Sequence, residues 1–105
     1  MKAHEILSDE SKWCQFAYAR DANKSMAVKT GSGLDELVFL PDARSFCMVA
    51  AVYIAQDCRS LLEAKRITQR AIKKTFPLTS WPEGEEFNNH HSFEDVRKVL
   101  VENDL

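Results

Sequence analysis

Ten apolar residues run without a break from Phe46 to Ala55. A bilayer span needs about 20, so this stretch is a buried core segment, and the rest of the chain has to cover it. Val49, Val52, Tyr53 and Ile54 favour a strand. The alanines and Met48 favour a helix. The flanks decide between them. Pro41 is excluded from a helix interior, and Asp42 after it can cap a first turn by accepting backbone N–H bonds. The pattern therefore predicts a central helix over about residues 42–58, with Phe46, Val49, Ala50 and Tyr53 on one face. Cys47, Ala51, Ile54 and Cys58 lie beside that face. A helix apolar nearly all round is packed on several sides.

The remaining elements read as its cover. Ile6 and Leu7 give a short helix within residues 1–11, followed by turn or capping residues Ser8 to Ser11. Trp13 is large enough to plug one end of the core. Phe16, Tyr18 and Arg20 alternate with Ala17 and Ala19, a strand period. Asp21 to Lys24 suits a turn with Asn23 at positive φ, and Ser25 to Thr30 suits a returning strand. Gly31 and Gly33 mark a loop without a phosphate-binding pattern. Residues 34–40 read as a short strand or a helical turn. Ser60 with Glu63 is a capping box opening a helix that Pro77 stops. Its apolar side is Leu61, Ala64, Ile67, Ala71, Ile72 and Phe76. Residues 77–91 read as irregular, anchored by Trp81 and Phe87. Ser92 caps a last helix with Phe93, Val96, Val99 and Leu100 as its buried stripe. The fold class is α+β: a buried central helix, two or three amphipathic helices and a small antiparallel β-hairpin, in one domain spanning residues 1–105.

Composition narrows the function classes. Apolar residues are 45% and charged residues 29% of the 105-residue chain, ordinary for a globular domain. A net charge of −2 argues against bulk electrostatic binding of nucleic acid. No apolar stretch follows Met1-Lys2, so no signal peptide is expected, nor any membrane span. Cys14, Cys47 and Cys58 match no disulfide or zinc spacing, which predicts reduced thiols in a cytoplasm. No motif calls for a cofactor or a metal.

Three stretches carry a family resemblance. They are W-C-Q-F-A-Y-A-R-D-A-N (13–23), A-R-S-F-C-M-V-A-A-V (43–52) and E-F-N-N-H-H-S-F-E-D-V-R-K-V-L (86–100). Together they resemble a family of small bacterial and phage proteins catalogued as a domain of unknown function. Its pattern is W-x-x-x-A-x-A-R-D, then A-x-x-x-C-x-x-G-A, then W/F-N-D before an amphipathic helix containing D/E-V. The matching positions are Trp13, Arg20, Asp21, Cys47, Asn88 and Asn89. Ala50 stands where that family favours Gly, Lys24 where it favours a turn Gly, and Asn89 where it favours Asp. The resemblance implies a bacterial or phage origin and no particular activity.

Three candidate sites follow. Arg20 and Asp21, with Asn88 and Asn89, form a ligand- or partner-binding set, because the guanidinium is a planar fork suited to a carboxylate or phosphate. The competing role for Arg20 is a clamp on Glu83, Glu85 or Glu86, with Asp21 capping the turn. Cys47 with His90 or His91, oriented by Asn88 or Asp95, is the only enzyme-like set, and the apolar flanks of Cys47 work against a thiolate. Arg66, Arg70, Lys73 and Lys74 form a basic helix face. Residues 59–76 carry a net +5 and residues 83–105 a net −5, an asymmetry that could take nucleic acid or an acidic partner. The leading expectation is a non-enzymatic binding or regulatory protein acting through a protein partner or a second copy of itself. A small Cys/His enzyme and a weak nucleic-acid binder stand behind it.

Overall fold

A computed structural model describes residues 1–30 and 36–105, so the Gly31–Gly33 loop lies outside the described residues. The fold is α+β, with five α-helices and two small antiparallel two-stranded sheets among the described residues. Helix α1 (Ala3–Ile6) and a 3-10 turn (Glu10–Lys12, capped by Asp9) lead into strands β1 (Ala19–Arg20) and β2 (Val28–Thr30). Strands β3 (Leu37–Phe39) and β4 (Ser45–Phe46) precede helices α2 (Met48–Ala55), α3 (Leu61–Thr75), α4 (Gly84–His90) and α5 (Phe93–Glu102).

Helix α2 is the core. Met48 through Val52 are wholly buried, and α1, α3 and α4 pack around them. Its last turn surfaces at Ile54, so it is not apolar-packed all round. The helix begins six residues later than Pro41-Asp42 suggests. Residues 45–46 are drawn into a ladder with β1 (Ala19↔Phe46, Arg20↔Ser45). Cys47 N–H donates to the Tyr18 carbonyl at 3.0 Å, and Cys47, not Asp42, becomes the N-cap. The helix also ends at Ala55, three residues short of the expected Cys58. Asp57 takes φ 49°, and Cys58 N–H and Asp57 N–H return to the Tyr53 and Ile54 carbonyls, a Schellman closure that normally uses Gly.

The hairpin pairs differently from the alternation's forecast. The turn is held by the Asp21 carboxylate, which accepts from Asn23 N–H (2.9 Å) and Ser25 N–H (3.0 Å). Lys24, not Asn23, takes the positive φ of 65°. The returning chain touches β1 through a single bridge, Arg20↔Met26. It then runs on as β2, pairing with β3 in the register Val28↔Phe39. Phe16, at φ 62°, interrupts the expected strand over 15–20.

Helix α3 opens as its capping pattern predicts. Ser60 Oγ accepts from Glu63 N–H, while Glu63 reaches back one residue further, to Arg59 N–H. The apolar side is as read from the sequence, with Thr68 added: its buried hydroxyl donates to the carbonyls of Ala64 and Lys65. The stretch expected to be irregular contains α4. Its helical turns bury Phe87 and Asn88, and Gly84 lets them come close. A β-carbon on Gly84 would lie 2.5 Å from Thr68 Oγ1 and 2.6 Å from Val49 Cγ2. Ser92 caps α5 by accepting from Asp95 N–H.

Candidate functional site

The three stretches that carry the family pattern meet in space, and Asn88 is where they meet. Buried in α4, its Oδ1 accepts from Trp13 Nε1–H (2.7 Å) and from Met48 N–H (2.9 Å) at the start of α2. Its Nδ2 donates to the Cys14 carbonyl at 2.9 Å. One amide thus ties the 13–23 stretch and the start of α2 to α4. Its neighbours extend the tie. Gln15 Nε2 donates to the carbonyls of Asn88 (3.0 Å) and Asn89 (3.2 Å) at the end of α4, where helical carbonyls lack partners. Asn89 Oδ1 accepts from Phe16 N–H at 2.7 Å. These bonds hold Phe16 in a left-handed conformation that a bulky residue rarely adopts. Phe16 is 68% exposed.

Beside this junction lies a cavity of about 390 Å³. Phe16, Tyr18, Met26 and Val28 form its apolar walls, and Cys47, Glu85, Asn88 and Asn89 its polar lining. Cys47, Asn88 and Asn89, picked out from the sequence, are therefore brought together. The Cys47 thiol caps α2, with Sγ accepting from Ala50 N–H at 3.4 Å. A helix N-terminus favours the thiolate, but complete burial outweighs it and pushes the thiol up to about 12. Burial, then the nearby Glu85 carboxylate, raises the Tyr18 phenol as well.

The histidines are engaged elsewhere. His91 stacks on Phe87, its Nδ1 lies 2.9 Å from Asp95 Oδ2, and its Nε2 lies 3.0 Å from Thr79 Oγ1. His90 stacks on Trp81 and pairs with Glu86. Neither lines the cavity that Cys47 lines. Among the described residues no three His, Cys, Asp or Glu side chains gather as a metal site.

Arg20 and Asp21 lie on the other side of Phe16, along a second groove. Arg20 donates to the carbonyls of Lys24 (2.8 Å) and Gln15 (3.2 Å). Among the described residues it makes no ion pair with Glu83, Glu85 or Glu86; Glu85 pairs with Lys65 and Glu86 with His90. The basic residues Arg66, Arg70, Lys73 and Lys74 are exposed along α3 and line neither groove. Sequence reasoning did not single out Gln15, Phe16, Tyr18 and Met26. Gln15 and Phe16 fall within the motif-bearing stretch, but a strand period assigns them no such role.

A family model described as "Family of unknown function (DUF6197)" matches residues 1–102. No curated protein matches the chain, and no solved structure does. No helix is long and apolar enough to cross a membrane among the described residues.

Proposed function

We propose, for a chain that belongs to the family of unknown function DUF6197, that it is a non-enzymatic binding or regulatory protein that works through a protein partner. An apolar side chain of that partner enters the cavity between Phe16, Tyr18, Met26 and Val28. The observation that carries this reading is Phe16 itself. A left-handed aromatic residue costs on the order of 1–3 kcal/mol in backbone strain and persists only where its surroundings impose it. Here Gln15 and Asn89 impose it, and the result is an exposed ring at a cavity mouth with Met26, 63% exposed, also on the lining. Exposed apolar residues rimming a concavity are characteristic of recognition surfaces. The high pKa of the Cys47 thiol supports a binding role over a nucleophilic one, because the thiol stays protonated at neutral pH.

The test is an NMR titration of isotope-labelled protein with N-acetyl-leucine amide and N-acetyl-phenylalanine amide. Shifts are expected at the Met26 methyl and at the amides of Phe16, Ala17 and Asn89. Phe16→Ser should abolish them without lowering the melting temperature. Shifts scattered away from the cavity, or none at millimolar ligand, would refute the reading.

A further inference from the structure

The groove on the far side of Phe16, about 610 Å³ in volume, carries Arg20, Lys24 and Arg44 together with the acids Glu10 and Asp21. The three cations are linked through the backbone. Arg44 N–H donates to the Arg20 carbonyl at 2.8 Å, and Arg20 donates to the Lys24 carbonyl at 2.8 Å. Carbonyl partners fix the guanidinium but bring no negative charge. Among the described residues none of the three cations forms an ion pair. Asp21 already holds its turn through Asn23 and Ser25 N–H. The groove therefore keeps one positive charge in excess, with one arginine already oriented.

Lys24 adds an independent pointer. Its φ of 65° is a conformation in which glycine is comfortable and lysine strained. A long cationic side chain sits there against the local backbone preference.

We infer that this groove binds a carboxylate, the singly charged anion that balances its excess charge. Arginine forks match carboxylate geometry. Because Phe16 lines both groove and cavity, the two groups come from one partner segment, in which an acidic residue neighbours a large apolar one. Placing them on one segment rests on the cavity reading above; the carboxylate site does not.

The experiment titrates labelled full-length protein with blocked tetrapeptides whose central pair is Glu–Leu, Gln–Leu or Glu–Gly, each in both orders. Glu–Leu should bind about tenfold more tightly than Gln–Leu, the scale of a charge-assisted hydrogen bond. It should shift the amides of Lys24 and Arg44 along with those at the cavity. The variant Lys24→Gly with Arg44→Gln, which turns the groove's excess charge negative, should shrink that tenfold gap and leave Gln–Leu affinity unchanged. Equal binding of Glu–Leu and Gln–Leu overturns the carboxylate site and leaves the cavity standing. Groove shifts from Glu–Gly, with no response to Leu at the cavity, overturn the cavity reading and leave the carboxylate site. Absence of binding by all three peptides overturns both.

Discussion

At the scale of single residues, Asn88 does more than its size suggests. Three hydrogen bonds made by one buried amide join segments 40 to 75 positions apart in sequence. Asn88→Ala leaves the Trp13 indole N–H, the Met48 N–H and the Cys14 carbonyl without that partner. Stranded buried polar groups cost about 1–3 kcal/mol each before relaxation. The expected net loss of about 2–4 kcal/mol should lower the melting temperature by at least about 8 °C, measured by circular dichroism. The thiols and the Tyr18 phenol set a pH dependence. Cys47 rises from 9.0 to about 12, and Cys14, Cys58 and Tyr18 also move upward, each chiefly by burial. Between those two values the unfolded chain has released the Cys47 proton while the folded chain keeps it. Stability is therefore fully present below about pH 9 and falls as pH rises toward 12. Urea melts across that range should show the decline, and Cys47→Ala should make it shallower. Iodoacetamide at about pH 8 should leave Cys47 unlabelled until the protein unfolds. Lys24, at φ 65°, gives the opposite sign of effect. Lys24→Gly should stabilise the fold by up to about 1 kcal/mol by relieving strain, read as a higher denaturation midpoint, while weakening carboxylate binding. A residue that improves stability when removed is the pattern expected of a binding role.

At the scale of elements, the close approach of α4 to α2 and α3 depends on Gly84 having no side chain. An added methyl would sit 2.6 Å from Val49 Cγ2 and 2.5 Å from Thr68 Oγ1, and both neighbours are fully buried with no room to retreat. Gly84→Ala should destabilise by about 1–3 kcal/mol, as overpacked cores do. Trimming Val49 to Ala in the same protein should make the double variant lose less than the sum of the two single losses, because the clash and the trimmed atom coincide. The shift of α4 would also move Asn88 and Asn89, so NMR shifts around Phe16 should accompany the loss. Helix α2 makes a related point. Its first turn is anchored by groups from other segments, the Asn88 amide on Met48 N–H and the Tyr18 carbonyl on Cys47 N–H.

Across the whole molecule, charge is divided between a basic α3 and an acidic stretch from Glu83 onward. The two meet: α3 packs against α4 and α5, and Lys65 pairs with Glu85 at 2.8 Å. Arg66, Arg70, Lys73 and Lys74 remain exposed on the outer face. With acidic residues close at hand and a net charge of −2, the long-range field that attracts phosphate backbones is weak. A gel-shift assay with duplex DNA at low salt should show no complex. A complex that weakens steeply with salt, and is lost on replacing Arg66, Arg70 and Lys73 together, would reverse that expectation.

Local chemistry decided a good part of this protein without reference to any long-range contact. The apolar run from Phe46 to Ala55 made the core. Ser60 and Ser92 opened α3 and α5, because a capping hydroxyl needs only the N–H groups three residues ahead. Asp21 closed its turn for the same reason. The α+β class and the amphipathic faces were legible from spacing, and the family resemblance from the identities of motif residues such as Trp13, Arg20, Cys47 and Asn88. Contacts between distant segments decided the rest. Helix α2 begins at Met48 because β1 claims residues 45–46 in a ladder, and no local propensity encodes a partner some 25 positions away. Residues 84–90 become helical because Phe87 and Asn88 have a buried place to go, though Pro, Gly and clustered acids make the stretch look irregular. The candidate site belongs to this second kind. Its cavity exists because Asn88, Asn89 and Gln15 pin Phe16 in a conformation its own sequence disfavours, and only the assembled fold supplies the bonds that offset that strain.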